Sequence, residues 1–188
     1  MSLDNIKSPE ELSNYMSEKI QYGFVGKNGK VYLDDNSDEW NDWYEQCIVQ
    51  TAEEVINTKV GTCFDQVELE RLWFDNNNYE TKTFFVWFEI DEVNNYPTHS
   101  FLVFKNNDKW YWFENAFADF RGIHEFDSLD DAIDYVVKQH FEYIVREKIA
   151  KEEDEKLLTV YEYPKLNKHL TVDEYIEHVT NSKNKYVR

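Results

Sequence analysis

The chain contains little glycine, proline or cysteine, the residues that interrupt secondary structure or form disulfides. Five of its 188 residues are glycine, three are proline and two are cysteine. Glycine and proline are too sparse to form a low-complexity linker, and the length suits one packed core better than two domains of about 100 to 150 residues each. We therefore predict a single domain over residues 1–188. Cys47 and Cys63 lack CxxC spacing, and a lone disulfide is an uncommon staple at this size, so both are predicted to be thiols.

Long apolar runs are also missing. No segment approaches the roughly 18 consecutive apolar residues that a membrane span needs. Residues 1–4 lack the basic-then-apolar pattern of a secretion signal. The sequence thus predicts no membrane association and a cytoplasmic location.

Positive charge is scarce. The chain has 38 acidic and 20 basic residues, for a formal charge of −18, so it would repel a phosphate backbone and nucleic acid is not expected as a partner. Aromatic residues make up 17% of the chain and hydrophobic residues 41%, which is enough apolar surface to argue against disorder. Because it has no glycine-rich phosphate loop, HExxH motif or paired CxxC motif, we expect neither a cofactor nor a metal.

Helix-capping patterns predict where several helices begin. Four [ST]xx[DE] patterns each precede apolar residues at helical spacing, and they start at Ser8, Thr62, Ser128 and Thr171. The first of these helices is expected to end near Gly23. A further helix is predicted from about Asp38 to Thr58, with Cys47 on its apolar side and therefore in the core.

Strand patterns dominate the middle of the chain. Residues 83–90 are apolar on both alternating faces, as in a central strand that is covered on both sides. Residues 98–105 and 109–114 are predicted to pair as a hairpin. Strands are also expected over residues 122–126 and 159–163. The sequence therefore predicts an α+β fold in which N-terminal helices and the Cys63-bearing helix pack on an antiparallel β-sheet.

Cys63 is the strongest candidate for chemistry. If Thr62 is the N-cap, Cys63 is the first residue of its helix, where unpaired amides and the partial positive charge of the helix end stabilise a thiolate. The backbone N–H groups of Cys63 and Phe64 are also placed to stabilise the oxyanion that forms when a thiolate attacks an acyl carbon.

A nucleophilic thiol needs a base, and His99 opens a predicted strand near the rim of the sheet. The register of the hairpin decides which residue orients this ring, because a one-residue slip reverses the faces of a strand. A four-residue or a two-residue loop puts Glu114 opposite His99. A three-residue loop puts Asn115 there instead. Either side chain could fix the imidazole tautomer.

Three short motifs follow one another in the sequence: Gly61-Thr62-Cys63-Phe64-Asp65, Thr98-His99-Ser100-Phe101 and Trp110-Tyr111-Trp112-Phe113-Glu114. Their order resembles the transglutaminase-like superfamily, which is related in architecture to papain-like cysteine proteases. There a Cys at a helix start is followed by a His on one strand and an acid on the next, commonly four residues after a Trp. The resemblance favours Glu114 over Asn115, although the superfamily usually has Asp. It covers about residues 55–120, and the core motif region spans about 55–126.

The resemblance implies thioester chemistry on an amide or ester, with a Cys63-His99-Glu114 triad. We expect hydrolysis rather than acyl transfer to an amine, because water is always available and no calcium-site pattern is present. The substrate is expected to be a peptide, a protein or a small amide or ester. The rival prediction is a non-catalytic peptide- or protein-binding module that keeps the fold. Nothing in the sequence selects an oligomeric state.

Several other residues are weaker candidates. Trp40 and Trp43 are expected in the core, although one indole could line a cleft. Arg121 is a candidate ligand for a substrate carboxylate, with an ordinary ion pair as the alternative. The other histidines lack metal-ligand spacing and are predicted to be structural or exposed: His124, His140, His169 and His178.

Overall fold

A computed structural model describes residues 3–33, 40, 43–88 and 97–186, which form a mixed α+β fold. The described α-helices are α1 (Pro9–Lys19), α2 (Trp43–Gln46), α3 (Ala52–Thr58), α4 (Cys63–Asn76), α5 (Leu129–Arg146) and α6 (Val172–Val179). The described strands are β1 (Gln21–Gly26), β2 (Val31–Leu33), β3 (Cys47–Val49), β4 (Val60–Gly61), β5 (Glu80–Phe88), β6 (His99–Asn106), β7 (Lys109–Glu114), β8 (Gly122–Phe126), β9 (Leu158–Glu162) and β10 (Leu170–Thr171). Within these residues, no helix combines the length and apolar composition needed to cross a bilayer.

The larger sheet has the strand order β8-β7-β6-β5-β9 and is antiparallel throughout. One face packs against α4, whose Phe74 stacks on Phe104 of β6 with ring centroids 4.4 Å apart. The other face packs against α5, whose Ile133 and Val136 share a core cluster with Phe101. The prediction that β5 is a central strand covered on both faces is confirmed over the residues described; Glu89 and Ile90 lie outside them.

The smaller sheet corrects two helix predictions. The first helix begins at Pro9 behind its Ser8 cap, as predicted, but it ends at Lys19 rather than near Gly23. The following residues form β1, which pairs with β2 and β3 antiparallel and with β4 parallel. The helical spacing of the residues before Gly23 does not produce a longer helix, because the segment forms a strand that has partners on both sides.

The single helix predicted from Asp38 to Thr58 is also wrong. Its described part is divided into α2, β3 and α3, and Cys47 lies in β3 rather than on a helix. Cys47 is nevertheless fully buried in the core, as expected, and burial raises the pKa of its thiol, with nearby Asp65 adding to the shift. The helical spacing misleads because β3 pairs with β1 and β10, and Thr51 then starts a new helix with its own capping box.

The β6–β7 hairpin has a register that differs from every predicted one. Asn106 pairs with Lys109, and Leu102 pairs with Phe113. The connection is therefore a two-residue turn of Asn107 and Asp108, not one that includes Asn106. Asn107 adopts φ 54°, a left-handed conformation that asparagine tolerates better than most residues.

Candidate active site

The buried Asp65 carboxylate stabilises the start of α4 through three hydrogen bonds. Thr62 is the N-cap and Cys63 the first helical residue, as predicted. The Asp65 carboxylate accepts hydrogen bonds from the Thr62 N–H at 2.8 Å, the Thr62 hydroxyl at 2.9 Å and the Gln50 N–H at 2.6 Å. A Cβ on Gly61 would lie 2.8 Å from the Asp65 Cβ, so only glycine fits before this turn. The position of Cys63 is thus fixed by its own helix end.

His99 and Glu114 form a buried pair. The His99 Nε2 lies 2.8 Å from the Glu114 Oε2. The second carboxylate oxygen, Oε1, accepts the backbone N–H of Phe117 at 2.7 Å. Because each carboxylate oxygen has its own partner, the orientation of the acid toward the imidazole is determined from both sides.

The observed register explains how this pair forms. If the ladder is continued beyond its last pair, Phe101 lies opposite Glu114, and His99 lies opposite Ala116. His99 and Glu114 are therefore diagonal neighbours on one face, a separation that a long side chain can span. The two methylenes of the glutamate side chain supply that reach.

Asn115 points to the opposite face of the sheet. Its side-chain amide donates to the Gln66 Oε1 of α4 at 2.6 Å, and Gln66 in turn donates to the Gly61 carbonyl at 2.8 Å. Strand alternation thus separates the two candidates for the third site residue: Glu114 contacts the histidine, whereas Asn115 ties β7 to the start of α4.

The charge state of His99 depends on both neighbours. Burial alone lowers the pKa of the imidazole, but the Glu114 charge and the hydrogen bonds to Cys63 and Glu114 outweigh it and raise the pKa above the ordinary value. With Nε2 engaged by Glu114, Nδ1 is the nitrogen left for the Cys63 thiol.

His140 is a buried neighbour of this pair, which sequence reasoning assigned to a structural or exposed role. Its ring stacks on His99 with centroids 5.8 Å apart, and it lines the same cleft. Burial and the charge of His99 lower the pKa of His140 to about 3, against the opposing effect of the Pro97 carbonyl. It is therefore a neutral side chain. In the sequence, His140 lies four residues after Val136, on the apolar side of the predicted helix, and this spacing indicates that His140 is buried.

Glu70 is a second residue that sequence reasoning missed. It lies two helical turns beyond Cys63 on α4 and is only 2% exposed. Its Oε2 has no hydrogen-bond partner among the residues that the structure describes. Burial, reinforced by the charge of Glu114, raises the pKa of this carboxyl well above its ordinary value. The i+7 spacing from Cys63 placed it on the same side of the helix, but its burial follows only from tertiary packing.

A cleft of about 410 Å³ opens onto the pair. Cys63 and His99 both line it, together with Thr98, Phe117, Arg121 and His140. The Cys63 and Phe64 amides belong to the first turn of α4, whose N–H groups the helix itself does not use. A carbonyl carbon at the Cys63 sulfur would therefore meet a nucleophile, a proton carrier and free backbone donors in one place.

Trp40 and Trp43 are not among the described residues that line this cleft. Trp40 donates its indole N–H to the Leu33 carbonyl at 2.7 Å. Trp43 stacks on the Phe64 ring with centroids 6.5 Å apart and lines a separate, smaller hollow. Both pack against the main core cluster. Of the three residues predicted as possible cleft residues, Arg121 is the one that lines the cleft with Cys63.

Comparisons with protein-family models, with curated proteins and with solved structures find no significant match to this chain.

Proposed function

We propose that this protein is a cysteine-dependent acyl-transfer enzyme of transglutaminase-like architecture. The observation that carries the proposal is the His99 ring, whose Nε2 lies 2.8 Å from the Glu114 carboxylate and which lines the same cleft as Cys63, the first residue of α4. A nucleophile, a base and an orienting acid in that order are what covalent acyl catalysis requires. The antiparallel β6–β7 pair and its packing on α4 agree with the architecture that the motif order implies.

In the proposed mechanism, the Cys63 thiol gives its proton to His99 and the thiolate attacks the substrate carbonyl carbon. The carbonyl electron pair moves to oxygen, and the Cys63 and Phe64 amides stabilise that oxyanion. When the tetrahedral intermediate collapses, the bond to the amine or alkoxide breaks, and His99 returns its proton to the leaving group. The acyl group remains on Cys63 as a thioester.

Resolution of the thioester decides between hydrolysis and transfer to an amine. Water attacks the thioester carbon, His99 accepts its proton, and the thiolate leaves with the electron pair of the carbon–sulfur bond. We favour water as the acceptor because it needs no second binding site. Two free thiols, Cys47 and Cys63, suit a reducing compartment such as the cytoplasm.

Removal of the imidazole is expected to slow alkylation of Cys63. In a Cys47→Ala background, where Cys63 is the sole thiol, we expect His99→Asn to reduce the rate of iodoacetamide alkylation at pH 7 by about tenfold or more, because the thiolate loses its counterion. The measurement is the second-order rate constant from pH 5 to pH 9. The matched control is His169→Asn, since His169 is exposed and pairs with Glu54 on the smaller-sheet side of the molecule.

The control should alkylate at the parent rate across the pH range. A parent protein that reacts only as an ordinary thiol with a pKa near about 8.5, at a rate indifferent to His99→Asn, would end the enzyme proposal. That result would favour the non-catalytic binding module, because the cleft would then hold a ligand without turnover.

A further inference from the structure

The cleft differs in charge from the rest of the molecule. The chain as a whole carries −18, yet the charged residues at the rim are two arginines, Arg121 and Arg146, and one carboxylate, Asp119. Arg146 already has partners, since it lies 3.1 Å from Asp119 and 3.4 Å from Glu147. Arg121 is thus the rim cation that remains.

The Arg121 side chain is anchored but not neutralised. Its Nε donates to the Asn115 carbonyl at 3.0 Å, while no carboxylate of the described residues forms an ion pair with it. A guanidinium has five N–H donors in a planar fork, so the anchoring bond leaves donors for a ligand. An arginine lacking an acidic partner in so acidic a chain is the less expected outcome, because carboxylates outnumber cations by nearly two to one.

A series of hydrogen bonds connects the anchor of this cation to the backbone just before Cys63. Arg121 is bonded to the backbone of Asn115, whose side chain is bonded to Gln66, which is bonded to the Gly61 carbonyl two residues before Cys63. Asn115 and Gln66 are both buried. The carbonyl that anchors Arg121 therefore belongs to a residue tied to the helix end, whereas Arg121 itself is exposed to solvent.

We propose that Arg121 binds a carboxylate of the substrate, so that acyl donors with a carboxylate close to the reactive carbonyl are preferred. The inference rests on the proposed function, since it names the substrate class of that site. A guanidinium fork matches a carboxylate bidentately, and one unpaired cation suits a singly charged group better than a phosphate dianion. The carboxylate has two sources, a peptide C-terminus or an acidic side chain.

Two alkylating reagents test the charge preference directly. Iodoacetate and iodoacetamide both alkylate Cys63 by displacing iodide, but only iodoacetate carries a carboxylate. In the Cys47→Ala background, we expect Arg121→Gln to lower the iodoacetate-to-iodoacetamide rate ratio about tenfold, because a charge-assisted hydrogen-bonded pair is lost. Arg121→Lys should lower this rate ratio by less than Arg121→Gln does, since lysine keeps the positive charge but not the planar fork of N–H donors.

The control removes the same charge elsewhere. Lys138 is exposed on α5 and pairs with Glu142, so Lys138→Gln should leave the ratio unchanged. The iodoacetamide rate itself reports whether each variant keeps a reactive Cys63. An Arg121→Gln ratio equal to that of the parent would overturn the inference.

Peptides distinguish the two sources of the carboxylate in the protein without an Arg121 change. We expect short N-acetylated peptides with a free C-terminal carboxylate, or amidated peptides with one Asp or Glu, to protect Cys63 from iodoacetamide. Amidated peptides without an acid should protect at least tenfold less well. Equal protection by all three sets would overturn the inference even if Arg121→Gln fails to fold. A Cys63 that reacts as an ordinary thiol contradicts the proposed function instead, so the two failures are separable.

Discussion

Replacing Glu114 with Gln is expected to slow acylation of Cys63 by p-nitrophenyl acetate about 100-fold or more. The amide keeps the size of the side chain, but it removes the negative charge that raises the pKa of His99. Its NH₂ group, turned toward the Nε2, would favour the wrong imidazole tautomer. Loss of the acid from a nucleophile–histidine–acid triad costs about 10⁴-fold in the best-studied serine protease. The measurement is the burst of p-nitrophenolate released as the acetyl group transfers to Cys63.

Two variants define the meaning of that result. Glu125→Gln is the matched control, because Glu125 is an exposed carboxylate on the neighbouring strand β8 with Lys109 as its partner; its burst rate should equal that of the parent. Glu114→Asp should fall between the parent and Glu114→Gln, since the shorter acid cannot reach both His99 and the Phe117 N–H. A Glu114→Gln burst as fast as that of the parent would remove Glu114 from the site.

Replacing Glu70 with Gln is expected to stabilise the protein increasingly as the pH rises. The pKa of the Glu70 carboxyl is raised in the folded state, so the folded protein holds a proton that the unfolded chain releases near pH 4.5. The stability contribution of that proton is complete below the unfolded pKa and is lost as pH rises through the folded pKa. Gln resembles the protonated form and does not titrate, so it is spared this loss.

The measurement is the free energy of unfolding by urea at pH 5, 6, 7 and 8. We expect the advantage of the Glu70→Gln variant over the parent to be smallest at pH 5 and to grow by up to about 1.4 kcal/mol for each further pH unit. The slope from Asp65, whose pKa burial raises to about 7 against its hydrogen bonds from Gln50 and Thr62, is common to both proteins. Glu125→Gln should show no such gain. A constant Glu70→Gln difference across this range would contradict a buried, protonated carboxyl.

The parts of the fold that could be predicted from sequence are those set by local chemistry. The Ser8, Ser128 and Thr171 caps each begin a helix as predicted, because a side-chain oxygen accepts a backbone N–H within the same turn. The alternating apolar faces of β5 depend only on strand geometry. The prediction of one helix over residues 38–58 is wrong because Cys47–Val49 pairs with β1 and with β10. The second of these strands lies more than a hundred residues away in the sequence.

The site divides in the same way. The placement of Cys63 at a helix start follows from residues 61–65 alone, so it was accessible from sequence. The sequence predicts His99 and Glu114 as directly opposite residues, which is the wrong register. They contact each other because glutamate is long enough to reach a diagonal neighbour. Glu70 was missed because its burial beside the site depends on how α4 packs on the sheet, which residue spacing does not specify. His140 lies on the predicted buried side of α5, but its stacking on His99 depends on how α5 packs on the other face of the sheet.

The most direct test of the central claim is to locate the acyl group on the protein after acylation and before the thioester is hydrolysed. The protein is treated with one equivalent of p-nitrophenyl acetate, quenched in acid within the burst and digested for peptide mass spectrometry. We predict that the acetyl group is found on Cys63 as a thioester in the wild-type protein and in Cys47→Ser, and that it is absent from Cys63 over the same interval in His99→Asn. Acetylation spread over Cys47 and surface lysines, with no preference for Cys63 and no dependence on His99, would contradict the Cys63-His99-Glu114 site.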